Sequence, residues 1–349
     1  MREEKALVVG GGPAGLAAAI ELTDLGIEPL VLERRTGPWR HPRATALTTQ
    51  AMQMMGRWGV APAITRQGFP AEPAMSIRAS LTAPELHRAP LSGQVWSCPQ
   101  DQLEEILAIR ATAGGARIRY GAQLIGLQPE AETVTATAAT SDGVAAGIRA
   151  RYVVGADGRR STVREAGDIG TTRARYLGHW ISVLFRSPLR DYLSDPPFMR
   201  YRIEDSEGES AELMPAGADD RWLHFLRWHP DQGQAADDYD TGRCIGLIRS
   251  AAGVADLPVQ ILEIKSSEHM SCVATRFSTA RTVLAGDAAH TLDPAVGQSL
   301  SLALQDGSSA AEAIGAALAH GDDPASLASY DGRIRRRVDQ VLSRELLTI

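Results

Sequence analysis

Cysteine, lysine and long apolar runs are what this chain has least of. Its three cysteines, Cys98, Cys244 and Cys272, are far apart and odd in number. That excludes a disulfide framework and a C-x-x-C metal pair, and no metal site is expected. Lysine occurs only at Lys5 and Lys265, so arginine carries almost all of the positive charge, scattered through the chain. The formal net charge of −6 argues against nucleic acid as a partner, because gripping a phosphate backbone needs a concentrated basic surface. No run of about eighteen apolar residues is present and no signal peptide precedes the first strand, so no membrane partner and a cytoplasmic location are expected. No internal repeat is visible. The oligomeric state has no signature. At 349 residues and 44% hydrophobic, the chain suits two intimately packed domains.

What is present is a β-turn-α-β unit from Ala6 to Arg35. Ala6–Val9 is an apolar run that suits a buried strand, and Gly10-Gly11-Gly12-Pro13-Ala14-Gly15 follows at once, matching G-x-G-x-x-G. Gly10 permits the tight turn, Gly12 lets a pyrophosphate approach the backbone, and Gly15 lets the next helix press against the strand. The helix N-terminus then offers free N–H groups to phosphates. Leu16, Ile20 and Leu22 carry the helix, Gly26 ends it, and 29–32 forms a second strand closing on Glu33. A carboxylate there accepts from a ribose diol and repels a 2′-phosphate, which points to FAD or NAD. Arg34 is kept among the cofactor-side candidates, although Arg34 and Arg35 lie beyond the acid and suit a solvated pair better than a 2′-phosphate clamp.

Further along, His41-Pro42-Arg43-Ala44 leads into a helix over 48–58 that Thr48 or Thr49 could cap. Residues 70–94 lack helical periodicity and read as short strands and loops. Pro99-Gln100 opens an amphipathic helix ending at Gly114-Gly115; 117–120, 122–127 and 134–138 are strand-like, with a hairpin signal at Asp142-Gly143. A strand at 149–154 runs into Gly155-Ala156-Asp157-Gly158. From 171 to 275 the pattern is an antiparallel sheet with little helix: strands at 179–185, 199–204, 211–214, 221–228 and 259–264, and one helix at 242–251. The aromatics Trp180, Phe185, Trp222, Phe225 and Trp228 read as core. A buried strand, 282–285, precedes Gly286-Asp287-Ala288-Ala289-His290. Helices at 298–318 and 325–347 close the chain, the last with Leu327, Tyr330, Ile334 and Val338 on one face and Arg333 and Arg335 to Arg337 on a solvated one.

Three separated signatures, the glycine turn with Glu33, Gly155-Ala156-Asp157-Gly158, and Gly286-Asp287-Ala288-Ala289-His290 with Pro294, resemble the FAD-dependent aromatic hydroxylases. These are class A flavoprotein monooxygenases of the para-hydroxybenzoate hydroxylase type. The segments at His41–Ala44 and Pro99-Gln100 also match, most like the bacterial branch acting on phenols and polyketides. The resemblance implies an α/β fold: a discontinuous Rossmann-like FAD-binding domain (1–72, 98–172, 275–349) with an inserted α+β substrate domain (73–97, 173–274) built on an antiparallel sheet. It implies FAD as cofactor, NADPH or NADH as transient co-substrate, O2, and an aromatic or polyketide-like small molecule hydroxylated through a flavin C4a-hydroperoxide. Asp287 would accept from the ribityl chain, Asp157 would border the pyrophosphate, and Arg43 and Gln100 would touch the flavin side. Arg43 is the one candidate for a catalytic role. Gly286, Pro294, Gly297, Gln298, Ser299 and Leu300 would line the cofactor, the helix after Gly297 supplying positive potential near the flavin ring.

One stretch departs from that family. Its usual pattern after His290 is P-x-G-G-x-G-x-N-x-G, whereas Val296, Ser299, Ser301 and Ala303 stand here where Gly, Gly, Asn and Gly are commonest. A positive φ at any of these would cost on the order of 1–2 kcal/mol. The alternative reading is therefore the same fold, with FAD bound or lost, as a non-redox tailoring enzyme or a structural flavoprotein. No W-x-W-x-I-P segment supports a halogenase. A base for the substrate is not identified; His179, His224, His229 and His269 lie in the substrate half and each reads as structural or exposed.

Overall fold

The computed structural model describes residues 3–69, 71–91, 95–140, 143–193, 197–204, 210–217, 219–293, 297–321 and 325–345. The chain divides into two compact units, Met1–Arg40, Leu103–Arg175 and Ser271–Ile349 in one, His41–Gln102 and Tyr176–Met270 in the other. The first unit opens with β1 (Glu3–Val9), α1 (Pro13–Asp24) and β2 (Leu30–Glu33). The second takes β3 (Ala46–Thr48), α2 (Thr49–Arg57), α3 (Ala61–Gln67), β4 (Glu72–Arg78), β5 (Glu85–Pro90) and β6 (Val95–Ser97). Through α4 (Gln100–Ala113) the chain comes to β7 (Arg117–Tyr120), β8 (Ala122–Pro129), β9 (Val134–Thr140), β10 (Ala145–Gly155) and α5 (Thr162–Ala166). Next come β11 (Thr171–Arg186), β12 (Phe198–Glu204), β13 (Ser210–Pro215), β14 (Arg221–Trp228), α6 (Thr241–Ala252) and β15 (Gln260–Ala274). β16 (Thr282–Leu284), β17 (His290–Thr291), α7 (Ser299–Ala319) and α8 (Ala325–Glu345) complete the first unit.

The first unit is built on a sheet ordered β7-β2-β1-β10-β9-β8, with β16 paired to β10. Its strands β7, β2, β1, β10 and β16 run parallel, and β10, β9 and β8 form an antiparallel meander. The central parallel strands β2 and β16, with the ends of β1 and β10, are buried apolar runs, as a sheet covered on both faces requires, while the edge strand β7 is only partly buried. Val9 lies opposite both Leu32 and Gly155, and Gly155 opposite Leu284. The carboxyl ends of β1, β2, β10 and β16 therefore stop at one edge. Against this sheet α1 packs on α7, and they meet closely at Gly307, where an added Cβ would lie 2.0 Å from the Ala14 carbonyl oxygen. Valine at Gly307 should destabilise the protein by about 3 kcal/mol, the upper end for overpacking. In α8 the same test at Gly332 meets only the far end of Arg336 at 3.6 Å, so Gly332→Ala should stabilise by ~0.5–1 kcal/mol through helix propensity. Urea unfolding of the two variants checks the opposite signs.

The second unit is built on the sheet β15-β11-β14-β13-β12-β4-β5. The pairs β11·β14, β14·β13 and β13·β12 are antiparallel, but β12 and β4 run parallel. The expected antiparallel sheet thus has one parallel joint. No hairpin links β12 to β4, which arrives from a distant chain segment, so nothing forces the antiparallel direction there. Strand alternation sorts the side chains. Ile181, Val183, Phe185, Leu213, Trp222 and Leu226 face a core that α6 closes with Cys244, Ile248 and Ala252. Leu184, Met214, Leu223 and Phe225 lie on the opposite face. Of the five aromatics expected in the core, Phe185 and Trp222 are fully buried, and Trp180, Phe225 and Trp228 are half-buried. The three-residue strands β3 and β6, which pair with each other, and the short helices α3 and α5 were not visible in the pattern. Asp142 of the expected hairpin and Leu346 of the last helix lie outside the described residues. Among the described residues no helix is long and apolar enough to cross a membrane, and no cluster of three metal-ligating side chains occurs.

Candidate functional site

The shared edge of the parallel sheet gathers the three sequence signatures of the first unit. The glycine turn after β1, the Asp157 turn after β10 and the Gly286-Asp287 turn after β16 all leave from strand ends in register, where an open parallel sheet binds its ligands. The glycines divide the work. A Cβ on Gly10, whose φ is +106°, would lie 2.1 Å from the Ala156 carbonyl oxygen, and one on Gly15 would lie 1.8 Å from the Gly10 oxygen. Those two hold the turn against its neighbours. A Cβ on Gly12 would meet nothing within 4 Å. Pro13 and Ala14 then open α1, which has no side-chain cap and no acid in its first turn, so its N–H groups face that open side unneutralised.

Glu33 is buried at the end of β2 and spans the turn. Its Oε2 accepts from the Gly11 N–H at 2.6 Å and from Arg35 Nη2 at 3.2 Å; its Oε1 accepts from the Arg35 N–H at 2.8 Å and Nε at 2.9 Å. Burial pushes the carboxyl up, but the bonds and charge of Arg35 and the Gly11 N–H outweigh it and hold Glu33 below the usual range. Four donors fill a carboxylate. A ribose diol at Glu33 would therefore have to exchange with the Arg35 guanidinium, which also pairs with Glu104 at 3.1 Å and lies over the Trp39 ring. Arg35 is accordingly ion-paired and only partly exposed, whereas Arg34 is exposed.

Asp157 turns its carboxylate inward, accepting from Ser161 Oγ at 2.5 Å and from the Val163 N–H at 3.1 Å, while Ser161 caps α5. Arg164 on that helix donates to the Ala288 carbonyl at 3.0 Å and to that of Arg159 at 2.8 Å. It ties the Asp157 turn to the Gly286–Ala288 turn. Gly286, at φ +61°, leaves room for Ala14, 3.0 Å from where its Cβ would be, and for Ala303 at 3.4 Å. That close fit sets the Gly286 turn against the start of α1. Asp287 is half-exposed on this turn.

Beneath the turn lies a buried ionic group that sequence reasoning missed. Asp306 of α7 is 0% exposed and accepts from the Gly286 N–H at 3.2 Å, His290 Nε2 at 2.6 Å and Arg337 Nη1 at 3.1 Å. Burial would depress His290, but the charge and hydrogen bond of Asp306, with Asp287 adding, hold its pKa above the ordinary value. Arg337 was expected on a solvated face; its stem crosses α8's surface and its head reaches the buried carboxylate, as long arginine side chains can. An aspartate amid the small and apolar residues Ala303, Leu304, Gly307 and Ala310 of α7 was the available signal.

At the start of α7, Gly297 has φ +67°, Gln298 is an N-cap without a side-chain bond, and Ser299 and Leu300 are the first helical residues. Ser299, Ser301 and Ala303 are all helical, so the strain considered for them does not arise; Asp168 and Asp220 are the non-glycine residues with positive φ among the described residues. Pro294, Ala295 and Val296 lie outside the described residues. Arg43 and Gln100 belong to the second unit. Arg43 is exposed, and the Gln100 N–H donates to the Ala44 carbonyl at 2.9 Å. Of the histidines considered there, His224 is buried and depressed to about 4 by desolvation, its Nδ1 bonded to the Glu212 carbonyl. His179 packs on Tyr176 and Trp228, and His269 stacks on Trp180.

Residues 3–345 match the family model described as FAD binding domain. The chain belongs to the FAD binding domain family. Aklavinone 12-hydroxylase of Streptomyces purpurascens is 32% identical over 326 residues, which are 87% of this chain and 61% of that protein. Tetracenomycin B2 monooxygenase-dioxygenase of Streptomyces olivaceus is 31% identical over 317 residues, 83% of this chain and 58% of that one. This FAD binding domain chain therefore spans about three fifths of the curated relatives it matches. Aklavinone-11 hydroxylase, solved in a ternary complex with FAD and aklavinone, aligns with a TM-score of 0.83 at 30% identity, covering 91% of this chain and 63% of that one. The FAD-binding fold is thus shared, and the residues present fit FAD at its pyrophosphate: open space at Gly12 beside an uncapped helix start. At the ribose, the fit requires Arg35 to move.

Proposed function

We propose that this chain carries the cofactor- and substrate-binding parts of an FAD-dependent monooxygenase that uses NADPH or NADH and O2 to hydroxylate an aromatic, polyketide-like small molecule in the cytoplasm. The observation that carries the reading is the meeting of the Gly10–Gly15, Asp157 and Gly286-Asp287 turns at one sheet edge in a chain whose relatives are polyketide hydroxylases. In this reading the first unit binds FAD and the second binds the substrate.

Bound FAD would supply the redox chemistry, accepting reducing equivalents and activating O2. The chain's own residues bind and orient. Gly12, Ala14 and Gly15 receive the pyrophosphate on backbone N–H groups, Gly10 shapes the turn with its own N–H on the Leu32 carbonyl, Pro13 opens the helix without an N–H to offer, and Glu33 receives the adenosine ribose once Arg35 swings aside. Asp287 is the acceptor for the ribityl hydroxyls, with Gly286 fixing its turn. The start of α7, at Gly297, Gln298, Ser299 and Leu300, offers uncapped N–H groups where negative charge develops on the reduced ring. Asp157 shapes its turn through Ser161 and Val163. The non-redox alternative drew its motive from strain at 296–303, and the helical Ser299, Ser301 and Ala303 remove that motive at their positions.

Purified protein should be yellow, and NAD(P)H oxidation should rise on adding a hydroxylated polycyclic phenol. Asp287→Ala should weaken FAD binding at least about tenfold, the loss of one charge-assisted bond, while His290→Ala weakens it much less. A yellow protein inert to NADPH and NADH with every phenol tried would count against the oxygenase reading.

A further inference from the structure

The four donors on Glu33 fall into two kinds. Each carboxylate oxygen takes one main-chain N–H and one side-chain N–H: Oε1 has the Arg35 N–H and Arg35 Nε, and Oε2 has the Gly11 N–H and Arg35 Nη2. The main-chain donors belong to the end of β2 and the glycine turn, and stay where the fold puts them. The side-chain donors are the two parallel N–H groups of one guanidinium edge, the fork that fits a carboxylate. A ribose cis-diol offers two neighbouring O–H groups to such an acid. Arg35 therefore stands in for the diol donor for donor.

The same guanidinium has a second seat. Its Nη1 donates to Glu104 Oε2 at 3.1 Å, and its head lies 5.2 Å from the centre of the Trp39 ring. The Trp39 N–H reaches that Glu104 oxygen too, at 3.4 Å. The Glu104 side chain is 2% exposed and held on α4, whereas that of Arg35 is 23% exposed on a flexible stem. Burial would lower the Arg35 pKa, but Glu33 and Glu104 hold it above the ordinary value. The head stays charged, so a carboxylate must hold it wherever it goes. Released from Glu33, it keeps Glu104 and the face of Trp39.

We propose that Arg35 is a built-in competitor of the adenosine ribose and, with Glu104 as its second seat, determines how strongly this chain distinguishes a nucleotide with a ribose diol from one without. This rests on the FAD reading and deepens it at the adenosine end. Binding exchanges the two fork bonds for two hydroxyl bonds on the same oxygens, the main-chain donors remaining and the guanidinium settling on Glu104 and Trp39. No covalent bond changes and no proton moves. Each hydroxyl bond gained replaces a charge-assisted bond lost, so the diol adds little net affinity. Without the arginine the diol would count in full, because the lone pairs it fills on the buried carboxylate have no equal partner to give up.

ADP and 2′-deoxy-ADP, which differ by one hydroxyl of the diol, are the probes, titrated calorimetrically into the flavin-stripped protein. The preference for ADP should be at least about tenfold larger in Arg35→Met than in wild type, the worth of one charged hydrogen bond. Methionine keeps a long stem beside Trp39 and brings no donor. Arg35→Lys, whose ammonium cannot fork, should raise the preference in the same direction by less, and decides alone if Arg35→Met does not fold. Glu104→Gln weakens the second seat and should lower the preference instead. A purely structural role for Arg35 would move both affinities together and leave the preference unchanged. A preference equal or smaller in the Arg35 variants overturns the competition, and one that rises in Glu104→Gln overturns the second seat. Tight FAD binding with an unchanged preference overturns the competition alone; wild-type protein that binds neither FAD nor ADP overturns the FAD reading with it.

Discussion

Gly12→Val should leave a folded protein that no longer takes up FAD, whereas Gly15→Val should leave no stable fold. Both glycines belong to one turn, and helix propensity alone would treat them alike. The surroundings separate them. At Gly15 a Cβ would sit 1.8 Å from the Gly10 carbonyl oxygen and 3.3 Å from Val8, backbone and core that cannot retreat without parting α1 from β1. Overpacking against backbone at such a distance goes beyond the usual 1–3 kcal/mol, approaching the ~4–5 kcal/mol that unfolds marginal domains. At Gly12 the new side chain enters space empty to 4 Å, the side to which the start of α1 points its N–H groups. Valine there costs the fold little and fills the ground a pyrophosphate needs, so FAD affinity should fall at least about 100-fold, or ~2.8 kcal/mol. Thermal melting followed by circular dichroism and FAD fluorescence quenching measure the two effects separately. Full FAD affinity in Gly12→Val would place the phosphates elsewhere.

The second large effect concerns Asp306. Asp306→Ala removes the fully buried anion that Gly286, His290 and the partly exposed Arg337 share, and leaves a guanidinium and an imidazole near each other without it. Breaking a buried pair from one side costs about 3–5 kcal/mol. His290→Ala should cost less, ~1–3 kcal/mol, since Asp306 keeps Arg337 and the Gly286 N–H. The His290 pKa is raised in the folded state above its unfolded value of about 6.5. Its pairing with Asp306 therefore contributes fully below pH ~6.5 and is lost as the pH rises through the higher folded value. Denaturant unfolding across that window should show the decline in the wild-type protein and its absence in His290→Ala. Equal stability of Asp306→Ala and the wild-type protein would mean that the buried group is not ionic. Because the same carboxylate holds the Gly286 N–H, Asp306→Ala should also loosen the Asp287 turn.

The features legible in the sequence are those written in local chemistry. Glycine spacing, an acid at a strand end and short apolar runs gave the β1-α1-β2 unit, the three turns and the mixed architecture, because each is decided within a few neighbouring residues. The cap of α2 was readable as Thr48 or Thr49 for the same reason, and it is the Thr48 side chain that accepts from the Ala51 N–H. What escaped depends on partners far apart in the chain. His41 meets Glu263 across 222 residues, and Asp306 meets Arg337 across 31, from another helix. Neither pairing has a spacing rule. The parallel joint of β4 with β12 escaped because periodicity fixes a strand's faces and leaves its direction open. The strain considered at 299–303 came from counting missing glycines. Helical backbone needs no glycine there, and only Gly297 takes a positive φ in that stretch of the described chain.

The central claim is that turns after β1, β10 and β16 build one FAD site. Fluorescence titration of FAD into flavin-stripped protein, run beside Gly12→Val and Asp287→Ala, tests it most directly. The account predicts saturable binding of one FAD per chain, at least about 100-fold weaker in Gly12→Val and about tenfold weaker in Asp287→Ala. Wild-type protein that takes up no FAD, or variants from both turns that bind it as tightly as wild type, would contradict it.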